Sequence, residues 1–300
     1  MTSTPRRHIV RSLLCAGLLP SLLIACASPS AGSGATVLSP ERIAQIVASP
    51  ERSAADRTND LRRKPEQMLV FIGVRPGMVA LDLSAGGGYT TELLARAIGP
   101  GGQVYGQSQP RDPNRAAPAP AAPEGASHPA SAAAAAAAPP PPRVGPPRTS
   151  AVALAEREAR LRSANVAAAT LVAVLQRFED PVPAALAEGG LDLVTLMFNY
   201  HDLGYMAVDR AQMNRAVFRA LKPGAMYVIA DHSGRPGTGI SESGTLHRVE
   251  EAFLRREIEA AGFKLLAEGQ FLRNPADPRD RNTPDPPQPK DEFVLKFVKP

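Results

Sequence analysis

The sequence predicts an α/β fold: a mostly parallel sheet with helices on both faces and an antiparallel pair of strands at one edge. Three features predict it. Short apolar runs alternate with segments of helical period, the pattern of parallel strands joined by crossover helices. The first run ends in 82-DLSAGGG-88 and opens a helix, the strand–glycine turn–helix unit at which open α/β sheets bind ligands. The last two runs, 264–271 and 292–298, are separated by loop alone, which makes them antiparallel neighbours.

The chain begins with a basic start, an apolar run from Leu13 to Ala25 broken by Pro20, and then small residues. The run falls short of the roughly 20 residues of a membrane span and fits a secretory signal. Its end, Leu23-Ile24-Ala25-Cys26, resembles the bacterial lipoprotein lipobox. That resemblance implies a signal peptide over 1–25, a lipid on Cys26, a tether over 26–38 and a membrane partner reached through the lipid. It places the protein outside the cytoplasm, anchored in the cell envelope. Ala27, where an Asp would imply inner-membrane retention, favours the outer membrane facing the periplasm. Thr4-Pro5-Arg6-Arg7 resembles a twin-arginine signal, which carries proteins already folded; an ordinary basic start is the alternative.

From 39 to 67 the pattern is helical, with Ser39-Pro40-Glu41 as a start and Ser49-Pro50-Glu51-Arg52 as a second one. A short helix opens at Lys64-Pro65 and ends near Gly73. Strands are predicted at 79–83 and from Val104 to Gly106, with a helix over 90–98 between them. Residues 108–148 are Pro- and Ala-rich, with seven consecutive alanines and no aromatic residue. Such a segment buries too little apolar surface to offset its ordering entropy, so it reads as a surface insert. A helix over 151–168 and strands at 171–175, 191–198 and 226–230 follow. Further helices cover 210–221, stopped by Lys222-Pro223-Gly224, and 248–261, where His247-Arg248 begins the last long helix. The folded domain therefore spans 39–300, interrupted by 108–148.

Composition narrows the function. The net charge of +5 falls to +2 once Arg6, Arg7 and Arg11 leave with the signal, and no basic stripe is interleaved with aromatics. No nucleic-acid partner is expected. Both cysteines, Cys15 and Cys26, lie in the first 26 residues, so the folded part has no disulfide and no thiol metal site. Nothing in the sequence sets the oligomeric state.

Gly86, Gly87 and Gly88 let the backbone turn tightly and approach a ligand. A nicotinamide loop needs G-x-G-x-x-G, but Thr91 stands where the last Gly belongs; a phosphate loop needs Gly-Lys-Ser/Thr, which is absent. The stretch resembles instead the first motif of class I S-adenosylmethionine-dependent methyltransferases, D/E-x-G-x-G-x-G, with Ser84 in place of the first Gly. Leu221-Lys222-Pro223-Gly224 resembles the turn before a strand in the same family. The segments ERSAADRTNDLRRKPEQMLVFIGVRPGMVALDL, LMFNYHDL and LHRVEE resemble a group of exported bacterial predicted methyltransferases. The match covers about 40–107 and 150–300.

The resemblance implies a Rossmann-like class I methyltransferase fold, with a seven-stranded sheet and S-adenosylmethionine as cofactor. It implies that Asp82, Ser84, Gly86 and Gly88 line the methionine end. The family's acidic ribose ligand after strand 2 is missing, and Gln107 stands nearest to its place. Glu179 and Asp180, after strand 3, are the adenine-side candidates. After strand 4, Asn199 falls on the cofactor side and Tyr200 on the substrate rim. His201 is the candidate base there, oriented by Asp202. Asp231, His232 and His247 complete the rim. These histidines stand in adjacent pairs (H-D, D-H, H-R), and neighbours do not share a helix face, so no metal site is expected. Arg52, Asp56, Asp60 and Arg63 read as a solvated, paired helix face, with a lid over the cofactor as the other reading.

The expected function is methyl transfer to an unknown small molecule or envelope component. A non-enzymatic envelope protein with a repurposed pocket is the alternative; it is favoured by Ser84 and the missing ribose acid and opposed by Asp82, the triple glycine and Asn199–Asp202.

Overall fold

The computed structural model describes residues 36–110, 149–282 and 290–300. The signal, Cys26 and nearly all of the tether and of the 108–148 insert lie outside the described residues.

Seven strands form one sheet in the order β3-β2-β1-β4-β5-β7-β6. They are β1 (Val79–Leu83), β2 (Gln103–Ser108), β3 (Thr170–Leu175), β4 (Leu191–Met197), β5 (Leu221–His232), β6 (Lys264–Gly269) and β7 (Glu292–Val298). Strands β1 to β5 pair in parallel. β7 runs antiparallel to both β5 and β6. This is the Rossmann-like class I methyltransferase arrangement. The order reverses between β1 and β4, which opens a crevice beyond their carboxyl ends.

Central parallel strands are buried on both faces, so alternate residues feed two cores. Ala80, Leu193 and Val228 pack with Ile43, Leu69 and Leu94 on one face. Leu81, Val194 and Ile229 pack with Met213, Val217, Leu254 and Ile258 on the other.

The helices are α1 (Pro40–Ala48), α2 (Ala54–Arg63), α3 (Pro65–Ile72), α4 (Tyr89–Ile98), α5 (Ser150–Ser163), α6 (Asp202–Tyr205), α7 (Arg210–Ala220), α8 (Ser243–Leu246) and α9 (Glu251–Ala260). The helical stretch expected over 39–67 is three pieces. Ser39 caps α1 as expected, but Ser53, not Ser49, caps α2 by accepting from Asp56 N at 3.1 Å. The Ser49 hydroxyl is engaged by Glu51 and Arg96 instead. Lys64 turns left-handed (φ 44°) between α2 and α3, because Pro65 cannot continue a helix.

Other boundaries move. α5 ends at Ser163, where Asn165 turns left-handed (φ 51°). β2 runs on to Ser108. β5 starts at Leu221, which pairs with Leu191 ahead of a register irregularity, so Lys222-Pro223-Gly224 is strand edge as well as helix stop. The last long helix starts at Glu251, not Arg248: His247 is left-handed (φ 52°), and the Arg248 side chain is buried against Asp277 at 2.8 Å.

Candidate functional site

The loop after β1 is built around Asp82. Its carboxylate is buried and accepts from Thr91 Oγ1 at 2.7 Å and Thr195 Oγ1 at 2.8 Å. Burial pushes its pKa up to about 6, against the pull of those two hydroxyls. Ser84 (φ 54°), Gly86 (φ 53°) and Gly88 (φ 79°) all turn left-handed, which explains glycine at the last two and leaves Ser84 strained. Gly88 caps α4 without a side-chain hydrogen bond.

A cavity of about 1070 Å3 opens beyond the ends of β1, β4 and β5. Asp82, Ser84, Gly86 and Gly87 line one side, and Asn199, His201, Asp202, His232 and His247 line the other. Helix α2 contributes Asp56, Asn59 and Arg63 to the wall. The space suits a cofactor together with a small acceptor.

Gly88 faces away from that space: a Cβ there would lie 2.7 Å from Leu154 Cδ2 and 2.9 Å from Arg157 Cδ. Arg157 of α5 organises this flank. It donates to Gly87 O at 2.5 Å, to Asp56 at 2.7 and 2.8 Å, and to Glu92 Oε2 at 2.6 Å. One buried guanidinium thus ties α2, α4 and α5 to the glycine loop. Arg52 is likewise buried and forks onto Asp60 at 2.6 and 2.7 Å, while Tyr89 Oη donates to Asp60 at 2.6 Å. The solvated-face reading of these residues is therefore wrong for Arg52 and Asp56, which are 4% and 3% exposed. They fix α2 beside the cavity. Arg157 carried no signal in the sequence, because its partners lie 65 to 101 residues away.

The adenosine-side candidates do not reach the cavity. Gln107 is fully buried; its Oε1 accepts from Ser84 N at 3.0 Å and its Nε2 donates to Gln176 O at 2.7 Å. Both ends are engaged inward and the side chain does not line the cavity, so it is not placed to meet a ribose hydroxyl. Glu179 pairs with Arg177 at 3.2 Å and Asp180 is exposed; neither lines the cavity. Leu154 packs over Gly106 on the same flank, 2.5 Å from where a Cβ would stand.

The far wall converges on Asp202. Its Oδ1 lies 3.0 Å from His201 Nε2 and 3.1 Å from His247 Nδ1, and its Oδ2 accepts from Asn199 Nδ2 at 2.6 Å. Behind it, Asp231 accepts from His201 N at 2.8 Å and approaches His201 Nδ1 at 2.6 Å. Burial alone would lower the His201 pKa. The Asp231 carboxylate, helped by Asp202, overrides this and pushes it up to about 9. With both ring nitrogens engaged and a positive charge at neutral pH, His201 is no general base as it stands. Asp202 is held below the usual carboxylate range: burial opposes this, and His201 outweighs it.

Two rim candidates are structural. Tyr200 is fully buried, donates to Glu257 Oε2 at 2.7 Å and accepts from Asn214 at 3.1 Å. Asp231 is fully buried behind His201. His232 does line the cavity; burial holds its pKa well below the ordinary value, so the ring is neutral. Its Nδ1 lies 2.9 Å from Glu292 Oε1 without hydrogen-bond geometry. The expectation that no metal set forms does not follow from adjacency. The turns at His201 and His247 bring one possible ligand atom each from His201, Asp202 and His247 within 4.8 Å of one another.

No family model and no curated protein matches the chain. Among solved structures it is similar to a SAM-dependent methyltransferase from Aquifex aeolicus, at 15% identity and a TM-score of 0.49 over 88% of this chain and 100% of that one. A TehB-like SAM-dependent methyltransferase from Corynebacterium glutamicum is similar at 14% identity and a TM-score of 0.42, over 87% and 98%. An arsenic(III) S-adenosylmethionine methyltransferase from Chlamydomonas reinhardtii is similar at 16% and 0.46, over 75% and 64%. The fold itself rests on strand order and direction and takes nothing from these values.

Proposed function

We propose that the protein is an S-adenosylmethionine-dependent methyltransferase acting on a small molecule or envelope component. The observation that carries this reading is a single cavity with two dissimilar walls. One is the Asp82–Gly87 loop, the other the Asn199–Asp202 turn with His247. The methionine end of the cofactor lies along the loop. Ionised Asp82 attracts its positive charge, and Arg63, which lines the cavity over the Tyr89 and Phe198 rings, meets its carboxylate. The acceptor lies against Asp202 and His247. Methyl transfer then needs mainly in-line positioning of acceptor and sulfonium, and a shared cavity supplies it. By the lipobox at Leu23–Cys26, the site works at the envelope on a lipid tether. Export in the folded state would let the cofactor travel bound.

Calorimetric titration of the full chain with S-adenosylmethionine and S-adenosylhomocysteine tests the reading. Heat saturating at one site per chain, weakened in Arg63→Ala, is the expected result. No heat and no thermal shift at millimolar ligand sinks it.

A second reading has its own observation. Gln107 is locked inward, and Leu154 and Arg157 close over the glycine loop. These favour a non-catalytic envelope protein that keeps the fold and uses the cavity for another ligand. Binding of a ligand other than the cofactor, with no methylated product, is its signature.

A further inference from the structure

We infer that His201, Asp202 and His247 form a site for one divalent first-row transition cation on the acceptor wall of the cavity. The inference deepens the reading of that wall given above and rests on it for the cation's role, though not for its binding.

The donor atoms are already gathered. His201 Nε2 and His247 Nδ1 approach the same oxygen, Asp202 Oδ1, at 3.0 and 3.1 Å. Edges of about 3 Å are those between neighbouring ligands at right angles on metal–nitrogen and metal–oxygen bonds of about 2.1 Å. Two imidazoles and one carboxylate suit zinc, iron, cobalt or nickel, and are a poor set for magnesium or calcium. The ligands come from two separate turns, α6 and the end of α8, whose left-handed His247 aims back at Asp202.

Each ligand is also held from behind, which a chance cluster does not require. Asp231 grips His201 twice, at Nδ1 (2.6 Å) and at the backbone N (2.8 Å). Asp231 keeps the proton on Nδ1, so Nε2, which faces Asp202, is the nitrogen that gives up its proton to a cation, the arrangement a metal needs. Asn199 occupies Asp202 Oδ2 at 2.6 Å and so leaves Oδ1 to the cation. The His247 ring is braced edge-on by His201 at 5.5 Å and Tyr205 at 5.9 Å. All three ligands line the cavity, so the remaining coordination positions face it. They are open to water or to an oxygen or nitrogen of the acceptor, opposite the glycine loop. The acceptor class that fits is a small molecule with an ionisable oxygen or nitrogen, whose charge the cation would stabilise beside the sulfonium.

The test uses the full chain, stripped with a chelator and titrated with Zn2+ by calorimetry and with Co2+ by visible absorption. One equivalent is expected to bind with a Kd of about 10 µM or tighter. Asp231→Asn should weaken it roughly 10- to 100-fold, and His247→Ala should abolish it while thermal unfolding of the metal-free protein stays near the parent's. His247 is over a third exposed at its side chain, so that variant folds. A Kd above about 1 mM for Zn2+, Co2+ and Mn2+ alike overturns the inference. So does binding unchanged by His247→Ala, which would put the cation elsewhere. Titration of the metal-free protein with S-adenosylmethionine is read separately. Cation binding without cofactor binding removes the methyltransferase reading and keeps this one, and the reverse outcome does the opposite.

Discussion

Gln107 Oε1 accepts a hydrogen bond from Ser84 N at 3.0 Å. Ser84 stands where the resembled glycine motif has its first Gly, and Gln107 stands nearest the place of that family's acid after β2; the two are bonded to each other. Ser84 sits left-handed without glycine's freedom (φ 54°), at a cost of roughly 1–2 kcal/mol. The inward-turned Gln107 side chain pins its amide and, through Gln176 O, anchors the start of the loop after β3. The substitutions thus work as a pair, one strained and one bracing.

Restoring an acid at that position should therefore fail. Gln107→Glu replaces the donor facing Gln176 O with a second acceptor in a fully buried place. An unpaired buried charge costs at least about 3 kcal/mol, and the melting temperature should fall by roughly 6–12 °C. Scanning calorimetry decides. A stable Gln107→Glu protein that binds S-adenosylmethionine more tightly would contradict the locked geometry.

Asp82 sets a pH dependence of known sign. Its folded pKa is raised to about 6, above an unfolded value of about 3.9. The folded chain keeps a proton that the unfolded chain has released. The stability this contributes is fully present below about pH 3.9 and is lost as pH rises through about 6, some 3 kcal/mol in all. Asp82→Asn removes that loss, so relative to the parent it should gain stability between pH 4 and pH 7. It should also bind the cationic cofactor less tightly at pH 7. Urea unfolding of both proteins across that range checks the sign.

Arg157 holds two buried carboxylates, Asp56 and Glu92, at 2.6–2.8 Å. Removing one partner of a buried ion pair costs about 3–5 kcal/mol. Arg157→Ala should lower the melting temperature by roughly 6–20 °C and loosen the glycine loop, because Gly87 O loses its donor. The double variant Arg157→Met with Asp56→Leu should recover part of that loss, since no charge is left stranded at Asp56.

Adjacent glycines should respond oppositely to alanine. At Gly87 a Cβ meets nothing within 4 Å and the backbone is not left-handed, so Gly87→Ala should fold normally. Any deficit would lie in ligand affinity, because Gly87 lines the cavity. At Gly88 the backbone is left-handed and a Cβ would stand 2.7 Å from Leu154. Gly88→Ala should destabilise by about 2–4 kcal/mol from strain and overpacking. Melting temperatures and cofactor titrations of the pair separate the two roles.

The architecture was legible because it is local. Apolar runs of five to seven residues, glycine punctuation and the helix-free link before Glu292 fix strands and their order of use. Segment ends were less legible. Ser49 and Ser53 are both plausible caps by type, and the choice between them fell to Arg96, which draws the Ser49 hydroxyl away from 47 positions downstream. The site was legible on its two named walls: Asp82, Gly86, Asn199, His201 and Asp202 do face one cavity. Tyr200, Asp231 and Gln107 were misplaced for one reason. Alternation at a strand end does not say which polar side chain turns inward to satisfy a buried partner.

The sequence by itself determined a parallel sheet with an antiparallel edge, a glycine turn between the first strand and its helix, and a polar turn after the fourth strand. Hydrophobic periodicity and glycine placement act over a few residues and need no distant partner. Only the tertiary structure decided that His247 meets Asp202 across 45 residues, that Arg157 closes the flank of the glycine loop, and that Gln107 serves Ser84. Those choices are made by charge and hydrogen-bond satisfaction in buried space, where an unpaired group costs about as much as a lost hydrogen bond or more.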